Sequence, residues 1–211
     1  MNDLRFAFRQ LRYGPAFTVT ALATIAICLG ANLAMFAVID AILLRPLPFP
    51  QSDRLVAIFN TYAKAGVERA GTSVPNYLDR LALTDVLESQ ALYQFGGFRV
   101  GEGAGAEGVS ALRVTPSFFR VLRTDAVRGR LFTDEEGTTG HNRVVLLTYA
   151  FAQRQPGGLD SIVGRELRMD NERYTVVGVL PEAFKFLNPD LRVFVPLAFT
   201  DAERGEDRRW S

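Results

Sequence analysis

The longest apolar pattern in the chain runs from Phe17 to Leu44, and no charged side chain lies between Arg12 and Asp40. A charge-free run of about 20 residues is what a helix needs to cross a hydrocarbon core of roughly 30 Å. In lipid, a lone segment satisfies its own backbone only as a helix. The pattern therefore predicts a transmembrane helix over residues 16–45. From Phe17 to Leu44 it would reach about 42 Å, so its last turns would stand above the membrane. Buried helices of soluble folds are usually shorter than this. A cleaved signal peptide has an apolar core of about 7–15 residues ending in an A-x-A-like site, and neither feature fits. Bulky Ile27 immediately before Cys28 also argues against lipoprotein-type cleavage.

Ahead of this run the period changes. Leu4, Ala7, Phe8 and Leu11 recur at spacings of three and four, and Arg5, Arg9 and Arg12 form a neighbouring stripe. This predicts an amphipathic helix within a cytoplasmic segment 1–15, its arginines at anionic headgroups and its apolar face in membrane lipid. The same arginines orient the anchor, placing the N-terminus in the cytoplasm. Gly14-Pro15 breaks the pattern before the anchor begins. Within the anchor, Ala26, Gly30 and Ala34 form a small-x-x-x-small track that permits close approach of another helix, and Asn32 adds a polar group. Small residues are also simply common in membrane helices, so packing and composition both remain open. Asp40 reads as interfacial.

Beyond Pro46, Pro48 and Pro50 the pattern becomes short and irregular. Strands are predicted over Arg54–Thr61, Val109–Val114, Val144–Leu147 and Val193–Pro196. Gly164–Met169 and Tyr174–Leu180 read as a hairpin joined through Asp170-Asn171-Glu172. Ser73 with Pro75 marks a helix start, with a helix running towards Leu92 and Phe95 and interrupted near Thr84. Thr115-Pro116 precedes a short helix at SFFRVL, and Tyr149–Arg154 is another. Gly101–Gly108 is a hairpin loop. The fold class is α+β: one N-terminal transmembrane helix followed by a mixed α/β domain over residues 46–211.

Composition narrows the chemistry. A net charge of +1 over 211 residues gives no clustered basic face, so no nucleic acid is expected as a partner. Cys28 is the only cysteine and His141 the only histidine. The external domain therefore forms no internal disulfide and lacks a cysteine nucleophile, and His141 sits in a predicted turn. Asp134, Glu135 and Glu136 read as a solvated acidic loop, with nothing nearby in sequence to complete a cation site. G-x-S-x-G, H-E-x-x-H and G-x-x-x-x-G-K-[ST] motifs are absent. The expectation is no enzyme, no catalytic or metal site and no cofactor.

The order of segments resembles MacB-like, FtsX-type ABC transporter permeases, in particular the duplicated permeases of the acidobacterial type. The matching pieces are Arg9-Gln10-Leu11-Arg12, Gly30-Ala31-Asn32 and Leu43-Leu44-Arg45-Pro46-Leu47-Pro48. Further on come Ser73-Val74-Pro75-Asn76-Tyr77, Val114-Thr115-Pro116-Ser117-Phe118-Phe119 and Gly129-Arg130-x-Phe132-x-x-x-Glu136. The last block is Tyr174-Thr175-Val176-Val177-Gly178-Val179-Leu180-Pro181-Glu182-Ala183-Phe184. Leu33 and Asp40 stand where such permeases usually carry Thr and Asn.

The resemblance implies an inner-membrane permease subunit with a MacB-like periplasmic core domain, working with other permease helices or subunits and a separate ATPase subunit in export or mechanotransmission. It also implies that residues 46–211 form an incomplete core domain, the N-terminal part of a longer permease. The competing expectation is a single-pass membrane-anchored protein whose periplasmic domain binds a partner.

Overall fold

The computed structural model describes residues 14–40, 48–83, 85–200 and 203. Arg5, Arg9 and Arg12, the anchor's last turns and the interruption expected near Thr84 lie outside the described residues. The chain divides into two units, Met1–Leu47 and Pro48–Ser211.

In the first unit, helix α1 (Pro15–Ile39) starts where the sequence breaks: Gly14 is its N-cap and Pro15 occupies the first turn. Proline fits there because its missing N–H would be unpaired anyway. No residue of α1 is buried, and its apolar side chains project on every side, Ile27 at 72% and Met35 at 68% exposure among them.

The second unit is built on a sheet covered on both faces. A small antiparallel hairpin of β1 (Asn60–Tyr62) and β2 (Val67–Ala70) precedes helix α2 (Val74–Leu81). Then follow β3 (Tyr93–Val100), β4 (Glu107–Val114), α3 (Phe118–Val121), β5 (Arg128–Gly129), β6 (Val144–Leu147), α4 (Tyr149–Arg154), α5 (Gly158–Ser161), β7 (Glu166–Met169), β8 (Glu172–Val179) and β9 (Leu191–Pro196). The main sheet has the order β5-β8-β6-β9-β4-β3-β7, and β7 also pairs with β8. Six strands thereby close on themselves.

The ring is sealed at one place. Val100 pairs with Met169, flanked by bonds from Gly101 N to Arg168 O and from Asp170 N to Arg99 O, each 3.0 Å. The Asp170 carboxylate also accepts from Arg99 N at 2.8 Å. Register irregularities between β6 and β8 and between β4 and β9 leave Val177 and Arg192 without an opposite residue. Such bulges increase local twist and help a sheet curl.

The period-2 alternation of the strands creates two cores. Inside the ring sit Phe98, Val100, Val109, Ala111, Val145, Leu147, Met169, Tyr174, Val176, Val179, Val193 and Val195, with Phe151 and Ala152 of α4 packed against them. The opposite face carries Leu112, Val114, Leu146, Val177, Leu191 and Phe194 under Phe118 and Phe119 of α3, together with Phe49 and Phe132.

Several expected elements stand: the Ser73 cap, whose hydroxyl accepts from Asn76 N at 3.4 Å; α3; α4; β6; and the β7–β8 hairpin. Asp170 and Asn171 turn that hairpin with φ of 49° and 66°, the left-handed pair that a two-residue I′ turn requires.

Other elements differ. The strand expected over Arg54–Thr61 is a 3₁₀ turn at Ser52–Arg54 and then an extended stretch that becomes a paired strand only at Asn60. Helix α2 ends at Leu81, and the region expected to carry it on to Phe95 enters β3. Arg128-Gly129, for which the sequence predicts no strand, pairs with Val179 and Gly178 of β8.

Candidate functional site

Two features of the described residues bear on function: the helix α1, and the aromatic outer core where the chain enters its second unit. α1 is the one described helix long and apolar enough to cross a membrane. Its polar side chains bond to the helix's own backbone. Thr20 and Thr24 hydroxyls donate to the carbonyls of Ala16 and Thr20, each at 2.9 Å, and the Asn32 amide donates to Cys28 O at 2.8 Å. Backbone bonding of this kind lets polar residues sit in a helix surrounded by hydrocarbon.

Ala26, Gly30 and Ala34 follow one another at four-residue intervals and share a face. A Cβ added at Gly30 would meet nothing within 4 Å. Asn32 lies two residues from Gly30, about 200° round the helix, so it does not belong to that track.

In the second unit the outer core fixes the entry of the chain. Phe49, eight per cent exposed, packs its ring 5.7 Å from Phe184 and 6.3 Å from Phe186. Phe119 lies 5.8 Å from Phe184, 5.5 Å from Phe194 and 6.0 Å from Phe132. Tilted and edge-on ring pairs like these add stability beyond area burial. Pro48 and Pro50 flank Phe49, so no periodic pattern in the sequence marks it as a core residue.

Phe132 is held by a brace that explains the Gly129-Arg130-x-Phe132-x-x-x-Glu136 block. Gly129 (φ 72°) runs so close to β8 that a Cβ there would collide with Val177 O and lie 2.8 Å from Gly178 Cα. Gly178 is equally crowded, with a Cβ falling 2.8 Å from Arg128 O. Only paired glycines allow this crossing. Arg130 then forks onto Glu136, at 2.6 and 3.0 Å. Glu136 Oε2 also accepts from Thr133 N at 2.8 Å, completing a capping box with Thr133.

Glu136 is therefore a buried structural anion rather than a member of a solvated acidic loop. Burial pushes its carboxyl up, but the Arg130 guanidinium and the Thr133 amide outweigh that and hold it below the ordinary glutamate range. Asp134 turns instead to Arg120, 2.5 Å away at the surface.

His141 is exposed in its turn, its amide donating to Thr138 O at 3.2 Å. Among the described residues, no three of His, Cys, Asp and Glu are grouped to hold a metal ion. An open groove of about 420 Å³ lies between Tyr77, Leu81, Leu87, Gln90, Ser117 and Phe199. Its polar groups bind the chain itself: Ser117 Oγ donates to Gln90 O at 2.7 Å, and Gln90 Nε2 to Arg80 O at 2.5 Å.

The model of one protein family, the MacB-like periplasmic core domain, matches residues 18–211. The chain belongs to that family. Among solved structures it is similar to the periplasmic region of MacB from Actinobacillus actinomycetemcomitans, with a TM-score of 0.50 and 14% identity over 66% of this chain and 62% of that one. A second similarity is to the extracellular domain of the noncanonic ABC-type transporter YknZ from Gram-positive bacteria, with a TM-score of 0.46 and 19% identity over 60% and 63% of the two chains. The MacB-like chain thus spans about three-fifths of the solved regions it matches. No curated protein matches it.

The brace predicts a pH signature. At neutral pH, Glu136→Gln should destabilise the domain by about 1–2 kcal/mol, roughly 2–8 °C in melting temperature. A carboxyl lowered on folding stabilises fully above its unfolded value of about 4.3, and that contribution is lost as pH falls through it towards the folded value. The melting difference between parent and variant should therefore shrink below about pH 4.3. A difference independent of pH would mean that Glu136 acts by shape alone.

Proposed function

We propose that this chain is the N-terminal, membrane-anchored part of an inner-membrane ABC-type permease, with α1 crossing the membrane and residues after about Pro46 in the periplasm. The observation that carries the reading is the MacB-like core domain match, which includes an apolar helix exposed on every side. Arg5, Arg9 and Arg12 precede the span, which favours a cytoplasmic N-terminus and a contact with anionic lipid headgroups.

In this reading a separate ATPase subunit supplies motion through other permease helices, and the periplasmic domain receives it for export or mechanotransmission. The domain is suited to that role as a stiff body. A closed sheet with two packed faces resists local bending, because packed cores transmit strain rather than absorb it. Phe49, locked among Phe184 and Phe186, would pass a pull on the incoming chain directly into the outer core. No residue set for ATP chemistry enters this account, and the chain itself is read as non-enzymatic.

Alkaline phosphatase fused after Thr61 should be active in a bacterial host. An inactive fusion, with an active cytoplasmic reporter at the same site, would invert the orientation and overturn the reading.

The small-residue face of α1 is assigned here to packing against other permease helices. Gly30→Leu should weaken helix association in a membrane two-hybrid assay by forcing backbones apart, while Ile25→Leu on another face should change little. Equal association of both variants with the parent would reduce the track to composition.

A further inference from the structure

The ring of strands is not fastened equally all round. β3 and β4 pair along their full lengths, but β4 pairs with β9 only from Ser110 onward. Among the described residues, the tip of this hairpin, from Phe98 to Val109, is therefore joined to the rest of the sheet through one residue pair, Val100 with Met169. The base of the tip is built to bend. Gly96 and Gly97 stand opposite Ala111 and Ser110, and the register of β4 against β9 slips between those same two residues. Glycine weakens a strand interior and a bulge bends one, so two weak points lie on one line across the hairpin. The connecting loop adds Gly101, Gly103 and Gly105, which leaves the tip few side chains to tether it.

What shuts the seam centres on Asp170. Its amide donates to Arg99 O at 3.0 Å and its carboxylate accepts from Arg99 N at 2.8 Å, so one residue of the β7–β8 turn engages both backbone groups of Arg99. Gly101 N donates to Arg168 O at 3.0 Å. The Glu102–Arg168 ion pair at 3.1 Å is exposed, and surface pairs contribute little. Behind these bonds Phe98, Val100 and Val109 are buried in the inner core with Met169, and the Phe98 ring lies 5.8 Å from that of Tyr174.

We propose that the tip is a latch. Residues 98–109 lift about the Gly96–Gly97 line, part β3 from β7 and bare an apolar cleft lined by Phe98, Val109, Met169 and Tyr174, with Asp170 as the catch. Domains open locally, at free energies below that of global unfolding, where few bonds hold a segment. The stiffness of the closed ring then lasts only while the seam holds, which gives the domain a second, open state. The device is internal to the second unit, so it stands or falls apart from the membrane reading of α1.

The test uses the full chain in lipid nanodiscs with Cys28→Ser, so that an introduced thiol is alone. Val109→Cys places it on the inner face of the tip, and Val145→Cys makes the same change on β6, across the ring from the seam; both positions are buried. Under native conditions a small thiol reagent should label position 109 at least about tenfold faster than position 145, since tip opening exposes only the first. Asp170→Gly removes the carboxylate yet keeps the turn, because glycine adopts φ 49° freely. It should speed labelling at 109 by a further factor of about ten, as expected for losing one hydrogen bond to a charged group, and leave 145 unchanged. Asp170→Asn keeps an acceptor and tolerates the left-handed turn, so its labelling should stay close to the parent's. Equal labelling at 109 and 145, or an Asp170→Gly effect that is absent or the same at both positions, would overturn the latch.

Discussion

Strand β8 is the constraint on which the domain depends. It pairs with β6 along one edge and with β7 and β5 in succession along the other. The β7 pairing returns the chain to β3 and closes the ring; the β5 pairing brings Arg130 and Phe132 over the outer face. The β5 pairing requires the Gly129–Gly178 crossing, where neither strand has room for a side chain. Above and below β8 the two cores divide its residues, Tyr174, Val176 and Val179 inward and Val177 outward. Displacing this strand would open both cores at once.

How much of this was legible in the sequence follows from how local each signal is. The β7–β8 hairpin was readable because Asp170-Asn171 is turn chemistry between two apolar runs, and α3 and α4 because their patterns start cleanly. β5 was not readable, since two residues carry no period and their pairing is tertiary. The Leu55–Phe59 run misled for the opposite reason. Its strand propensity is real, but propensity describes fit to a pleated, half-buried surface, and no such neighbour is described. Glu136 was available in principle: Thr133-x-x-Glu136 is a capping-box spacing, overshadowed by the adjacent acids. That Arg130 returns to the same carboxylate needed the fold.

The long apolar run was the strongest sequence signal, and it stands as a continuous helix from Pro15 to Ile39. What the sequence blurred was its polar detail. Asn32 lies across the helix from Gly30, and its amide donates to Cys28 O within its own helix. The helix and the domain thus differ along the chain: one part is an apolar helix exposed on every side, the other a closed sheet, with Phe49 the first side chain firmly seated in the second.

The most direct test of that division is single-cysteine labelling in intact cells, with Cys28→Ser and the outer membrane permeabilised. Cysteine placed at exposed His141 should react with a membrane-impermeant maleimide before lysis, and cysteine placed at Arg9 only after it. Labelling at position 9 in intact cells, or protection of position 141 until lysis, would contradict a membrane-crossing α1 that carries the MacB-like domain outside.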